Sequence, residues 1–279
     1  PGEGAVAVVL KRLEDAQRDG DRVLATIRGG AVGNDGQVFS QMAPNPRGQI
    51  DVMSRALAEA NVDPATIELI ETHGTATPVG DTVELRALRE VYGETGALVG
   101  LSSIKSNLGH LLAAAGLASL VKVVLSLQHR TMAPIAGLRT LNPRLGLDGG
   151  RFVPLDSAQP WPRPAHGRRR AAVNSLGIGG TNCHLILEEG PERAEPFVSP
   201  EASLLCVSGQ SPGDLKRVAR QWGSWLQQQP DVDRDAFCGE ANRRSMLRRT
   251  RAAAVVRSTQ EAQQFLLELS RGERDIVRG

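Results

Sequence analysis

Three short clusters in this chain combine side chains able to act on a carbonyl group. The first is Glu71-Thr72-His73-Gly74-Thr75-Ala76-Thr77. It follows an apolar run that reads as a short strand, so His73 sits just past a strand's C-terminal end, where α/β proteins place their sites. Gly74 lets the backbone approach a ligand closely. Thr75 and Thr77, two residues apart, offer hydroxyls along one side of a pocket. The plainer alternative is a loop histidine between turn-forming threonines.

The second cluster is Lys105-Ser106-Asn107-Leu108-Gly109-His110, ahead of a strongly apolar helical segment. His110 at that helix's N-terminus would be kept neutral by the positive dipole end. A neutral imidazole can donate one hydrogen bond to a developing oxyanion. Lys105 would orient it or hold a carboxylate-derived charge nearby. The plainer alternative is a helix-capping loop with a solvated lysine. Against that, the small-residue run Ala113-Ala114-Ala115-Gly116 must approach a neighbour closely.

The third cluster is Asn174-Ser175-Leu176-Gly177-Ile178-Gly179-Gly180-Thr181-Asn182. Glycines this dense between two strands present main-chain N–H groups, and an oxyanion hole is a natural use of them. A tight strand-to-strand turn is the plainer alternative. It is not a dinucleotide or P-loop fingerprint, because it neither opens a helix nor ends in Gly-Lys-Ser/Thr.

Other reactive side chains read as structural. Cys183 and His184 are neighbours on a strand and point to opposite faces, so they form no dyad. Cys206 lies on a strand and reads as core, whereas Cys238 falls in a polar loop. Three cysteines so spaced suit neither a disulfide framework nor a zinc site, and no metal is expected. His129 and His166 read as surface residues. Arg168-Arg169-Arg170 is either a solvated rim or a landing patch for an acidic partner.

The elements that must position these clusters alternate between strand and helix. Strands are predicted at Ala5 to Leu13, Val23 to Val32, Ile67 to Glu71, Leu98 to Leu101, Phe152-Val153, Ala171 to Asn174 and Cys183 to Leu187. Glu14 to Gly20 is polar and Gly33 to Pro46 is a loop. Helices are predicted at Gln49 to Ala60, from Asp81 with Glu84 three residues on at capping-box spacing, and from His110 to Gln128. This implies an α/β layered domain over residues 1–190. A connector over 191–202 precedes a small α/β unit over 203–279. That unit has a strand at Leu204 to Ser208, a helix at Pro212 to Gln229, an Arg-rich helix and strand from Arg243 to Val256, and a helix at Gln260 to Leu269.

Hydrophobic residues make up 41% of the 279 and aromatics only 3%, so Ala, Val, Leu and Gly must fill the core. That suits closely packed α/β layers. A net charge of +2 gives no argument for nucleic acid. No unbroken apolar run reaches the ~18 residues of a membrane span; Leu111 to Leu127 comes nearest, interrupted by Lys122. With no leader pattern, a cytoplasmic setting without membrane or nucleic acid is expected. The opening Pro1-Gly2-Glu3-Gly4 runs straight into Ala5-Val6-Ala7-Val8-Val9-Leu10, which reads as a piece of a longer polypeptide.

In this order, the three clusters resemble the β-ketoacyl synthase (ketosynthase) domains of modular polyketide synthases. His73-Gly74-Thr75, Lys105 to His110 with its Ala-rich helix, and Asn174 to Asn182 match that family's motifs. Gly2-Glu3-Gly4, Leu10 to Leu13, Gly33-Asn34-Asp35-Gly36 and Pro160-Trp161-Pro162 look like it too. Residues 203–279 resemble the linker domain that follows such ketosynthases. The resemblance implies the C-terminal half of a thiolase-like layered fold (α-β-α-β-α). It implies an acyltransferase reaction, decarboxylative Claisen condensation of an acyl chain with a malonyl-type extender. By resemblance, His73 and His110 bond the extender thioester oxygen and Lys105 supports the charge balance. Thr75, Thr77 and Asn107 contact the phosphopantetheine arm, and the Ile178 amide, shaped by Gly179 and Gly180, completes an oxyanion hole. The family's nucleophilic Cys lies upstream of Pro1, and none here matches it. Expected partners are acyl carrier protein, which delivers the phosphopantetheine, adjoining synthase domains and a second copy in a homodimer; no cofactor is expected to be bound by the domain itself.

Four positions depart from the family pattern: Ala76 for Gly, Thr82 for Pro, Ile178 for a gating Phe, and Leu112 for an acidic residue. They leave open a non-elongating ketosynthase that transfers or holds acyl chains. A docking or scaffold module for carrier protein and neighbouring domains is the third reading. A thiolase is disfavoured, since it lacks the Lys105 to His110 pattern.

Overall fold

The computed structural model describes residues 1–36, 43–165, 167–191, 201–229, 231–245 and 248–278. The segment Ala194 to Pro200 and His166 lie outside them. The chain divides into two compact units, Pro1–Glu192 and Arg193–Gly279.

The first unit contains helices α1 (Leu13–Arg18), α2 (Pro46–Ala60), α3 (Gly80–Tyr92), α4 (Lys105–Leu108) and α5 (Ala115–His129). Its strands are β1 (Ala25–Asn34), β2 (Leu69–Glu71), β3 (Val99–Ser102), β4 (Thr131–Met132), β5 (Phe152–Pro154), β6 (Gln159–Pro160), β7 (Arg170–Leu176) and β8 (Thr181–Glu189). Six of them form one mixed sheet in the order β1-β8-β7-β2-β3-β5. The β7-β2-β3-β5 pairs are parallel, while β8 runs antiparallel to both β7 and β1.

Alternation along the strands sorts neighbouring residues to opposite faces. Ile70, Ala172 and Ile186 join a core with α2 and α3, through Val52, Met53, Leu85 and Leu88. Their neighbours Leu69, Ala171 and Leu187 join a second core with α5, through Leu120, Val123 and Leu127. The sheet is thus covered by helices on both faces, which is why its central strands are apolar throughout. Helix α5 approaches β7 closely: a Cβ on Gly116 would meet the Ser175 Oγ at 2.7 Å, which accounts for the small-residue run. By mean hydropathy Leu112–His129 is apolar enough to cross a membrane. Here it covers the sheet, with Lys122 buried in an ion pair.

Several expectations are corrected. Residues 5–12 form no strand, and Val9 and Leu10 are exposed. The segment instead runs beside the His110 loop, where the Gly2 amide donates to the His110 carbonyl and Val6 packs on Leu111. The polar stretch after it is helical, as α1. The apolar helix begins at Ala115 rather than His110, because Gly109 and Leu112 both take positive φ (75° and 53°) and interrupt the path. Asp81 and Glu84 form no capping box: α3 has no side-chain cap at Val79, and both carboxylates serve the loop before it.

The second unit is a sheet in the order β11 (Val277–Arg278), β10 (Thr250–Val256), β9 (Ser203–Gly209), with helices α6 (Pro212–Gln228), α7 (Arg234–Arg244) and α8 (Thr259–Arg271). The sheet is antiparallel. Ser211, Asp233 and Ser258 cap the three helices through their side chains. Cys238 is not in a loop: it lies on α7 and is buried with Phe237 and Ala241 in the core that also holds Leu205, Leu215 and Leu266.

Candidate active site

His73 and His110 lie on separate loops, one between β2 and α3 and the other between α4 and α5, yet their rings meet. The centroids are 5.4 Å apart, with the planes at 80°. Strands β2 and β3 are adjacent and parallel, so the loops leaving their C-terminal ends emerge side by side. Each ring is fixed by a main-chain amide. Leu176 N donates to His73 Nδ1 at 3.3 Å, and Leu112 N donates to His110 Nδ1 at 3.0 Å. A neutral imidazole whose Nδ1 accepts carries its proton on Nε2. Both rings therefore have an Nε2–H free to donate.

Both rings are also kept neutral. Burial first, then the nearby Lys105 and His110 charges, push His73 down to about 3. His110 is lowered as well, by desolvation first and then Lys105. The expectation from a helix dipole gives way to this cause, since α5 starts only at Ala115, beyond His110. Lys105 is itself lowered by desolvation, opposed by the charges of Glu84 and Glu71.

Two buried carboxylates tie the histidine loops to the core. Glu84 accepts from His73 N at 2.8 Å, Gly74 N at 3.0 Å and Asn174 Nδ2 at 2.8 Å. Glu71 accepts from Ile104 N at 2.5 Å and pairs with Lys122 Nζ at 3.0 Å. Lys122 also donates to Ser102 Oγ, which donates to the Ala133 carbonyl. A third acid moors the glycine loop: Asp35 accepts from Asn182 Nδ2 at 2.6 Å, while its amide donates to the Gly180 carbonyl. Sequence reading misses all three supports. The signal for Glu71 is a charge closing the otherwise apolar strand Leu69-Ile70-Glu71.

A cavity of about 460 Å³ opens beside the histidines. Thr75, Lys105, Ser106, His110 and Glu84 line its polar part, and Leu85, Leu88, Leu101, Leu138 and Leu141 its apolar part. Asn107 is exposed and outside that lining, where its neighbour Ser106 stands. Thr75 and Thr77 lie together, Oγ1 to Oγ1 at 3.3 Å. In the glycine loop the Gly177 and Gly180 amides bond within the turn, to the Thr181 and Gly177 carbonyls. Ile178 is exposed at its tip. His73 faces this loop, through Leu176, rather than the cavity.

The remaining candidates are structural. His184 is fully buried and bonds Asn174 and Tyr92, not Cys183. Burial raises the Cys183 and Cys238 thiols, the latter to about 11, so neither is a poised thiolate. Arg169 and Arg170 do not form a free rim. Arg169 is buried, donating to the Trp161 carbonyl and pairing with Glu189; Arg170 pairs with Glu188 and reaches Thr66.

Comparison with known proteins agrees with this architecture. Residues 24–139 match the β-ketoacyl synthase C-terminal domain, and residues 142–255 match the ketoacyl-synthetase C-terminal extension. One polypeptide of the phenolphthiocerol/phthiocerol polyketide synthase of Mycobacterium tuberculosis is 42% identical over 229 residues, which are 81% of this chain and 15% of that protein. Another polypeptide of the same synthase is 43% identical over 234 residues, 81% of this chain and 12% of that protein. Among solved structures, an oxazolomycin ketosynthase domain from Streptomyces albus superposes with a TM-score of 0.83 at 31% identity, over 96% of this chain and 48% of that one. The ketosynthase from module 1 of the Bacillus amyloliquefaciens bacillaene synthase gives 0.82 at 32%, over 96% and 50%. The chain belongs to the β-ketoacyl synthase family, homologous to the ketosynthase domains of polyketide synthases, with their thiolase-like mixed α/β fold. It spans about half the length of those solved ketosynthases and a much smaller part of the curated synthases.

Proposed function

We propose that this chain supplies the thioester-activating half of a polyketide-synthase condensing site. One observation carries the reading: two neutral imidazoles, 5.4 Å apart, each with Nδ1 occupied by a backbone amide and Nε2–H free. Two donors this close can share one oxygen placed between them. An extender thioester oxygen placed there gains negative charge as carbon dioxide leaves and an enolate forms. Preset donors stabilise that charge without reorganising. The enolate carbon then attacks an acyl thioester held on a cysteine outside these 279 residues, and the thiolate leaves. The Ile178 amide at the loop tip is the donor for the second oxyanion.

Lys105 adds its charge to the burial that keeps both rings unprotonated and therefore single-proton donors. Thr75 and Thr77 line the path of a phosphopantetheine arm brought by acyl carrier protein, and Asn107, facing solvent, meets it further out. Adjoining synthase domains and a second copy are the partners this reading requires.

The test joins residues 1–279 in frame behind a ketosynthase N-terminal half that carries the cysteine. Carbon dioxide release from malonyl-carrier protein and the elongated thioester are then measured. His73→Ala and His110→Ala should each lower release by roughly 100- to 1000-fold, as expected for loss of one oxyanion donor. Release that survives both substitutions would overturn the reading. Acyl transfer with no release from the unmodified chain would assign the non-elongating role instead.

A further inference from the structure

The Glu84 carboxylate that holds the His73 loop is itself the end of a buried hydrogen-bond chain. Tyr92 Oη lies 2.7 Å from His184 Nε2, His184 Nδ1 lies 2.5 Å from Asn174 Oδ1, and Asn174 Nδ2 lies 2.8 Å from Glu84 Oε1. The direction of the links follows from the Glu84 end. Both Glu84 oxygens accept main-chain amides, from His73 and Gly74, and Oε1 also accepts from Asn174 Nδ2, which turns the Asn174 carbonyl oxygen to His184. His184 Nδ1 must then donate, its Nε2 must accept, and Tyr92 must donate. Each of the four side chains is buried. The path leaves the last residue of α3, crosses β8 and β7, and returns to the first turns of the same helix.

We propose that Tyr92, His184 and Asn174 are positioning residues for His73. By fixing the Asn174 amide they hold both Glu84 oxygens under the His73 and Gly74 amides, and so set the ring's approach to the reacting oxygen. None of the three touches that oxygen. Asn174 also lies on β7 two residues before Leu176, whose amide fixes the His73 tautomer, so one strand delivers both constraints. A core tyrosine–histidine pair with no link to the site would need no such ordered direction.

The proposal rests on His73 being the thioester donor, but its test needs no turnover. The whole chain is labelled with 15N at its five histidines for ring signals, and uniformly for amides. His184 should show the Nδ1–H tautomer, opposite to His73 and His110. His184→Leu should raise amide exchange at His73 and Gly74 by about tenfold. It should also average the His73 ring signal between tautomers, while the Ile104 amide, held by Glu71, stays as it was. His184→Asn keeps a donor at the Nδ1 position and should restore both signals. If His184→Leu does not fold, Tyr92→Phe removes one hydroxyl and should move the same two amides by about threefold. An Nε2–H His184 would overturn the proposal. So would unchanged His73 and Gly74 exchange, equal movement of all three amides, or no rescue by asparagine. Failure of the condensation assay alone, with these signals as expected, would overturn the functional reading and leave the positioning device standing.

Discussion

The loop after His73 contains two neighbouring positive-φ positions, and substitutions there should act with opposite signs. Gly74 has φ 50° and Ala76 has φ 58°. An L-residue in the left-handed region costs roughly 1–2 kcal/mol. Ala76 bears that cost with little return, because it is exposed and its main use is its amide, which donates to Asp81. In Ala76→Gly the strain disappears, and the extra freedom of glycine in the unfolded chain takes back about 0.5–1 kcal/mol. The net gain is about 0.5–1 kcal/mol, or a rise in midpoint of roughly 1–4 °C for a unit of this size. Gly74→Ala has no such margin. Its Cβ would lie 2.8 Å from Thr72 Oγ1 and 2.9 Å from Ser103 Oγ, and Glu84 grips its amide. Strain and overpacking together should cost about 2–4 kcal/mol. Because the chain has two units, the measurement should be hydrogen exchange of β7 across a urea series, which reports on the first unit alone. An Ala76→Gly chain no more stable than the unmodified one would refute the strain argument, and a tolerated Gly74→Ala would refute the contact geometry.

Two further expectations concern charge. His184 and His73 are each held near 3 in the folded chain, against an ordinary histidine value of 6.5, chiefly by burial. The unfolded state therefore binds more protons between those values, and stability is lost as pH falls through that window. For His184 the loss should be about 2 kcal/mol between about pH 7 and about pH 5, seen in urea midpoints and reduced in His184→Asn. A midpoint whose pH dependence is the same in that variant counts against the neutral buried ring. Separately, Glu71→Gln or Lys122→Met alone leaves its partner charged and buried, which should cost about 3–5 kcal/mol. The double variant Glu71→Leu/Lys122→Met should recover part of that stability yet still lose protection at the Ile104 amide, since Glu71 is its acceptor. Single variants as stable as the unmodified chain would show that the pair is solvated rather than buried.

Much of the architecture is legible along the chain because it depends on local pattern. The apolar runs that become β2, β3, β7 and β8 and the periodic faces of α2, α6 and α8 sit where that pattern places them, within a few residues. The start of the chain is not legible in this way: the apolar run Ala5 to Leu10 pairs with no strand, and Val6 packs beside Leu111 while Val9 and Leu10 are exposed. The helix after His110 is misplaced for another local reason. Leu112 in a left-handed conformation is not a feature that propensity foretells. In the second unit the Arg-rich helix expected from Arg243 instead ends at Arg244, and Phe237, Cys238 and Ala241, read as a polar loop around Cys238, lie close enough on α7 to form its buried face.

The site shows the same division at a finer scale. Histidines, threonines and glycines announce themselves by type, whereas the groups that hold them look ordinary. Glu84 reads as a cap and His184 as a failed dyad partner. Asp35 reads as one residue of the loop from Gly33 to Pro46. Their partners lie 90, 92 and 147 positions away, at Asn174, Tyr92 and Asn182. Each is an acceptor or donor that is expensive to bury alone, so its position has meaning only once the sheet has brought the partner in. The supports depend on the sheet. The β2–β3 and β2–β7 pairs place the two histidine loops and Leu176 on one edge, within reach of Glu84 and Glu71. A change that leaves both imidazoles in place but loosens either carboxylate should therefore disperse the two Nε2–H groups over a range of directions, with the fold still intact.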